Sequence, residues 1–295
     1  MALLSVITPH YNMPDTLCRL RDSIPNDGWI EHIVVDDKSN CDGEKLNEAK
    51  SYVTARGSIW VDNKSDQKGA GVCRDLGIQR ATGRWILVAD SDDYFVDGAF
   101  EIIAKYMESE EDIVYFPPTS VKEPEKTLSN RHIPYLKLVA GYSSGQSKRS
   151  EMRLRYLSVP DTSKLIRLNL IRDNHVKSST SLVANDVMFS VQCAFYAKRI
   201  KASEEVIYCI TESAGTLTTT KDVSRFRKRV DIYIEQNGFL REHLPAEDYS
   251  ETCLSARGLI RQSLRDYGIG EMIRTVKCLR KNKAPINVFA KNIKL

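Results

Sequence analysis

The sequence predicts an α/β fold: a mainly parallel sheet with helices on both faces, completed by a helical, basic C-terminal region. Three observations predict it. Strand-length apolar runs alternate with helical patterns through the first half of the 295 residues, the signature of strand–helix–strand units. Polar residues collect where those strands end, the edge at which such sheets bind ligands. From Asp222 onward the pattern is mostly helical and strongly charged.

The elements follow in order. Leu3 to Thr8 reads as a buried first strand, and Pro14 to Ile24 carries Leu17, Leu20 and Ile24 at helical spacing. His32 to Asp36 is a second strand and Ile59 to Val61 a short third. Val72 to Ala81 is helical, and Trp85 to Ala89 is a fourth strand. A helix from Phe100 to Met107 and a strand from Asp112 to Phe116 complete the alternation. The Pro-, Ser-, Lys- and Glu-rich stretch from Pro117 to Arg149 predicts irregular structure beside a site. Helices return at Met152–Leu157 and Asp186–Tyr196.

Composition sets the class. The chain is long enough for one large domain with an appendage, and its charged residues of both signs predict a folded protein. No apolar run reaches bilayer length. The brief apolar start lacks a basic leader and is read as a strand, not a signal peptide. Seven scattered cysteines, an odd number without C-x-x-C spacing, argue against zinc and against a disulfide framework and fit a reducing cytoplasm. A net charge of +4 does not argue for nucleic acid. Gly69-x-Gly71 lacks the preceding strand and third glycine of a dinucleotide fingerprint.

Two features carry chemistry. Val88-Ala89-Asp90-Ser91-Asp92-Asp93 ends an apolar strand in an Asp-x-Asp pair. Mg2+-like cations bind through one or two carboxylates and fill their shell with phosphate and water, so the pair can hold a metal against a diphosphate. An Asp-rich turn or cap is the other reading. The second feature is Ser5-Val6-Ile7-Thr8-Pro9-His10-Tyr11-Asn12 followed by Ile33-Val34-Val35-Asp36-Asp37-Lys38-Ser39.

The pair resembles the opening of the family-2 glycosyltransferases with the GT-A fold, of bacterial polysaccharide or lipopolysaccharide type. Lys68–Gly77 and Ala81–Ile86 are similar to the family's next segment, and Asp90-Ser91-Asp92-Asp93 falls where its Asp-x-Asp belongs. Ser163-Lys164-Leu165-Ile166 and Val183–Phe189 resemble its acceptor-side segment. The resemblance runs from Leu3 to Thr218. It implies a transferase domain over residues 1–220, with 1–116 binding the nucleotide-sugar and 117–220 the acceptor, and a helical region over 221–295. It further implies an inverting reaction from a UDP-sugar donor to a saccharide or lipid-linked saccharide, assisted by Mn2+ or Mg2+. Tyr11 would stack on the base, beside Pro9, and Asp37 would bond the base. Arg74 would lie near the nucleotide, Asp92 would bind the metal, and Asp90 would serve the ribose or the metal's shell. Asp186 would be the catalytic base. On its position alone, Asp186 reads instead as a helix-capping or first-turn acid. The sequence departs from the family pattern at Asp75, where Asn is usual, and at Asn185, where an acid often precedes the base.

Two other functions stay open: a nucleotidyltransferase forming sugar nucleotides, and a non-catalytic nucleotide- or sugar-binding module. The first should open with a glycine-rich basic loop, where this chain has Thr8-Pro9-His10-Tyr11-Asn12. From Glu271 to Leu295 there are seven basic residues and one acid, a charge of +6, which leaves −2 for the rest. Met272, Ile273, Val276 and Leu279 share a helical face, and Ile286, Phe289 and Ile293 continue the apolar pattern. Such a segment can dock on an anionic membrane, making the protein peripheral. Otherwise its apolar face packs on the protein's own core or on a second subunit.

Overall fold

A computed structural model describes residues 2–213 and 221–286 of the chain. The expected domain boundary at 220, and Phe289, Lys291, Ile293 and Lys294 of the basic tail, lie outside the described residues.

The first half builds as the periodicity requires. The strands β1 (Leu4–His10), β2 (Ile30–Asp36), β3 (Ile59–Asp62) and β4 (Trp85–Val88) are all parallel, in the order β4-β1-β2-β3. Between them run α1 (Pro14–Asp22), α2 (Gly43–Ala55) and α3 (Ala70–Arg80). The short β5 (Tyr94–Phe95), α4 (Ala99–Ala104) and β6 (Ile113–Tyr115) follow. α2 buries only Ala49 and Val53, so it has no apolar stripe for periodicity to reveal.

The stretch from 117 to 149 is more regular than its composition predicts. It holds β7 (Thr119–Lys122), β8 (Thr127–Leu128) and α5 (Ile133–Ser143). α5 escaped notice because Pro134 sits in its first turn, where proline is compatible with a helix. Then come α6 (Lys148–Leu157), β9 (Lys164–Arg167), α7 (Leu168–Asp173), α8 (Val187–Tyr196), β10 (Ile200–Ala202) and β11 (Tyr208–Glu212). β9 inserts antiparallel between β4 and β6, and β10 closes that edge parallel to β6, giving a seven-stranded, mainly parallel sheet. A second sheet, β5-β11-β7-β8, stands beside it. The C-terminal region folds as α9 (Val223–His243), α10 (Ala246–Glu251), α11 (Arg257–Tyr267) and α12 (Ile269–Lys281). No helix among the described residues is long and apolar enough to cross a membrane.

Strand alternation divides the core. Ile7, Ile33, Val35, Ile86 and Val88 face one layer with Cys73 and Ile78 of α3 and Phe189 and Cys193 of α8. Leu4, Val6, Trp85 and Leu87 face the other, with Leu20 of α1 and Phe100 and Ile103 of α4. Side chains that alternate faces along each strand force both faces to be covered. A third cluster joins α6 and α8 to the C-terminal helices through Phe226, Val230 and Leu279. The face predicted for α12 needs one correction. Glu271, Thr275 and Leu279 form its buried side, while Ile273 is 46% exposed.

Candidate active site

The ends of β1, β2 and β4 open into a cavity of about 400 Å3, lined in part by Pro9, Tyr11, Asp37, Arg74, Asp90, Asp92 and Asp186. Every residue singled out from the sequence therefore lines one cavity. A larger hollow of about 630 Å3 lies among Arg84, Asp112, Arg167 and Arg172. It opens at the start of β4 and β6, away from the ligand-binding edge. Its guanidinium groups are occupied: Arg167 by the Ser109 and Glu111 carbonyls, Arg172 by those of Ile78 and Ala81.

Pro9 is buried in β1, and Tyr11 stands 44% exposed at the cavity rim. The Tyr11 hydroxyl donates to Asn40 Oδ1 at 3.3 Å, and Lys68 lies 5.1 Å from its ring centroid. Asp37 is buried; Oδ1 accepts from Asn63 Nδ2 at 2.8 Å and Oδ2 from the Gly69 amide at 2.7 Å. Each carboxylate oxygen keeps a second lone pair for a ligand. His10, near the site in sequence, is buried between Asp36 (2.9 Å) and the Met13 amide (3.2 Å), which fixes the turn after β1.

Arg74 ties the site together. From α3 its Nη2 donates to Asp90 Oδ1 at 2.9 Å, its Nη1 donates to Asn185 Oδ1, and its Nε lies 2.9 Å from Asp161 Oδ2. Burial alone would lower its pKa, but Asp161, Asp90 and Asp186 together hold its proton above the usual range. Asn185 thus serves as a neutral acceptor for Arg74 where the family often has an acid. Asp75 accepts the Ser178 amide at 2.9 Å and anchors the loop before α8. Gly71 lets that loop approach, since a Cβ there would stand 2.1 Å from the Ser179 carbonyl oxygen. Gly71 thus serves packing between a helix and a loop, while Gly69 takes a φ of 121° ahead of α3.

Asp186 occupies the N-cap position of α8, but its side chain makes no capping hydrogen bond. The capping role has no geometric support, and the carboxylate lines the cavity instead. Surrounding protein pushes its pKa above the ordinary value, against the pull of Arg74. Burial outweighs the lowering that a helix N-terminus exerts. The shift moves the carboxyl toward the range suited to a general base.

The Asp-x-Asp segment is fastened from below. The Asp92 carbonyl accepts from Thr211 Oγ1 at 2.7 Å and from Arg19, whose Nη1 also pairs with Glu123 at 2.6 Å. The Tyr208 hydroxyl accepts the Asp90 amide at 2.9 Å, and Asp93 Oδ1 accepts the Thr211 amide at 2.7 Å. Asp93 is buried in the scaffold, its pKa raised well above the ordinary value by burial and by Asp92 and Asp90. Burial, and then Asp90, push Asp92 up to about 6. Its carboxylate has no side-chain partner among the described residues. Arg74 compensates Asp90, but burial and Asp90 still hold Asp92 above its ordinary value, a strain that a divalent metal relieves. No group of three or more His, Cys, Asp or Glu with metal-binding geometry occurs among the described residues. Two carboxylates, Asp90 and Asp92, on the wall of one cavity nevertheless suit the donor set of a Mg2+- or Mn2+-type cation.

Sequence reasoning missed Asp161, Lys164, Arg131, Arg225 and Arg229. Lys164 is buried, donates to the Ser158 carbonyl at 2.7 Å, and is lowered by burial to about 8. Asp161 is raised by burial to about 7 despite Arg74. Arg131 and, from α9, Arg225 and Arg229 line the same cavity.

Comparison with known proteins identifies the family and the fold. The profile of Glycosyl transferase family 2 matches residues 5–171. The poly(ribitol-phosphate) beta-N-acetylglucosaminyltransferase TarP of Staphylococcus aureus is 25% identical over 232 residues, which are 75% of this chain and 67% of that protein. A poly(ribitol-phosphate) beta-glucosyltransferase of Bacillus spizizenii is 25% identical over 211 residues, 70% of this chain, but only 31% of that longer protein. In three dimensions the chain superposes on Staphylococcus aureus TarS 1–349 in complex with UDP-GlcNAc. The TM-score is 0.69 at 18% identity, over 96% of this chain and 81% of that one. The mannosyltransferase PcManGT of Pyrobaculum calidifontis, solved with GDP-Man and Mn2+, gives 0.57 at 14% identity, over 95% of this chain and 75% of that one.

Proposed function

The chain belongs to glycosyl transferase family 2, and on that premise we propose an inverting, metal-dependent enzyme that transfers a sugar from a UDP-sugar to a hydroxyl of a bacterial surface polymer or its lipid-linked precursor. The observation that carries this reading is the meeting of Asp186 with the strand-end acids in one cavity, where Arg74 bonds both Asp90 and Asn185, the neighbour of Asp186. A capping acid needs no such company. The division at 116 into donor and acceptor portions is retained, with α9 added to the acceptor wall. The reaction is placed in the cytoplasm, at the inner face of the membrane.

Each side chain has a task in this scheme. Tyr11 stacks on the base and Asp37 accepts from it. A divalent cation held by Asp92 and Asp90 would supply positive charge against the diphosphate. Arg74 keeps Asp90 and the loop bearing Asp186 in register. Asp186 takes the proton from the acceptor hydroxyl as its oxygen bonds to the anomeric carbon. The bond to the diphosphate breaks on the opposite face, so configuration inverts. UDP is favoured by the Tyr11 and Asp37 positions and by the UDP-GlcNAc in the TarS complex. The relatives' names point to a phosphate-bearing acceptor, which suits the arginines at the cavity wall.

A panel of UDP- and GDP-sugars, each with and without Mn2+, tests the proposal by donor hydrolysis and transfer. Cation-dependent turnover of a UDP-sugar is expected. Asp92→Ala should lose the cation dependence. Asp186→Asn should lower transfer by about 10²–10⁴-fold while UDP affinity holds. Turnover indifferent to chelation would remove the metal from the scheme, and normal turnover in Asp186→Asn would require another base.

A further inference from the structure

We infer that the apex of the α11–α12 hairpin is a docking surface for an anionic lipid bilayer, set beside the mouth of the active-site cavity. The inference does not depend on which donor is used. α11 and α12 meet at Gly268, whose φ of 85° permits the reversal. The inner side of the hairpin is firmly held. Leu279 is fully buried in the cluster with Phe226 and Val230 of α9. The Tyr267 hydroxyl donates to the Asp222 carbonyl at 3.1 Å, and Arg227 Nε donates to Glu271 Oε1 at 2.9 Å.

The outer side is unsatisfied. Leu264, Ile269 and Ile273 are 50%, 66% and 46% exposed. They flank Gly268 within about a turn and a half of helix, at the tip of the hairpin. Charge identifies what covers them. Between Arg257 and Lys281 there are seven basic residues and two acids. Both acids are already paired: Asp266 with Arg265 at 2.9 Å and Lys221 at 3.5 Å, and Glu271 with Arg227. Arg261, Arg274 and Lys277 are exposed and form no ion pair among the described residues. An aliphatic tip with an unbalanced basic rim matches the boundary between headgroups and acyl chains of an anionic bilayer. A second copy fits worse, because a two-fold contact on this face would bring like charges together.

Position gives the surface a use. The apex rests on the first turns of α9, at Asp222, Phe226 and Arg227. The same turns present Arg225 and Arg229 to the cavity. The docking tip thus belongs to helices that pack on α9, and α9 lines the cavity. An acceptor tethered to lipid would be delivered on this side of the molecule.

Co-sedimentation of the full chain with vesicles tests this. One set is pure phosphatidylcholine, the other carries about 30 mol% phosphatidylglycerol. Binding to the anionic set is expected, weakening with salt. Leu264→Ser/Ile269→Ser/Ile273→Ser should reduce it about tenfold or more, with thermal midpoint and UDP binding unchanged. Arg261→Gln/Arg274→Gln/Lys277→Gln should do the same and remove the salt dependence. Equal sedimentation with both lipid sets would overturn the inference. So would a serine variant that binds like the wild type, or a dimer in light scattering that the serine variant abolishes.

Discussion

Arg74 shows how far a residue's role depends on partners distant in sequence. Its guanidinium meets Asp90, Asn185 and Asp161 from three segments of the chain. The motif around Asp90 exposed one partner to sequence reasoning, and the neighbourhood of Asp186 exposed the second. Asp161 had no such signal, since it belongs to no periodic run and precedes the segment that resembles the family. Its carboxyl stands at about 7 because it is buried, even with Arg74 against it. An acid whose pKa is raised by folding binds its proton first in the folded state. Its contribution to stability therefore grows as pH falls from about 7 toward the unfolded value, and is lost as pH rises through 7. Asp161→Asn removes that dependence. The stability of the wild type over the variant, from urea unfolding, should be larger at pH 5 than at pH 7.5 by about 2–3 kcal/mol. An equal gap at both pH values would mean that Asp161 is ionised throughout.

Elements matter here through their close approaches. The helical pattern of α3 was readable in Val72–Ala81, and Gly69-x-Gly71 was readable as no dinucleotide fingerprint. The purpose of Gly71 was not readable, because it is a contact with a loop far along the chain. Gly71 faces the Ser179 carbonyl, and Asp75 holds the Ser178 amide. Together they set the loop that ends in Asn185 and Asp186. Gly71→Ala forces that loop outward, since backbone and not a flexible side chain is in the way. A loss of about 1–3 kcal/mol is expected, read as a lowered thermal midpoint. Turnover should fall about tenfold or more, because a displacement near 1 Å can cost up to about a hundredfold. Normal turnover would show that the loop yields freely.

Across the whole molecule the C-terminal helices are part of the enzyme body and not an appendage. α9 packs on α8 through the cluster containing Phe226, Val191 and Ala194, and supplies two arginines to the cavity. α12 in turn covers α9 with Leu279. Removing residues 271–295 would therefore expose core as well as remove basic charge, which makes surface substitutions the sounder probe of membrane docking. Leu279→Ala should cost about 2–5 kcal/mol. If the region is one cooperative unit with the catalytic domain, a single thermal transition should move downward. A variant that unfolds in two separate steps would show the C-terminal helices to be an independent unit.

Periodicity alone determined the parallel strands and the acidic ends of β2 and β4, because burial on both faces demands continuous apolar runs and ligand edges demand polar ones. The order of the motifs determined the family and brought Asp186 into the same site as Asp92. Only the tertiary structure decided that Asp161 and Lys164 lie buried behind that site, that Arg225 and Arg229 reach it from α9, and that Ile273 faces outward. These are pairings between segments remote in sequence. Local pattern records which face of an element is apolar, but not what another element brings against it.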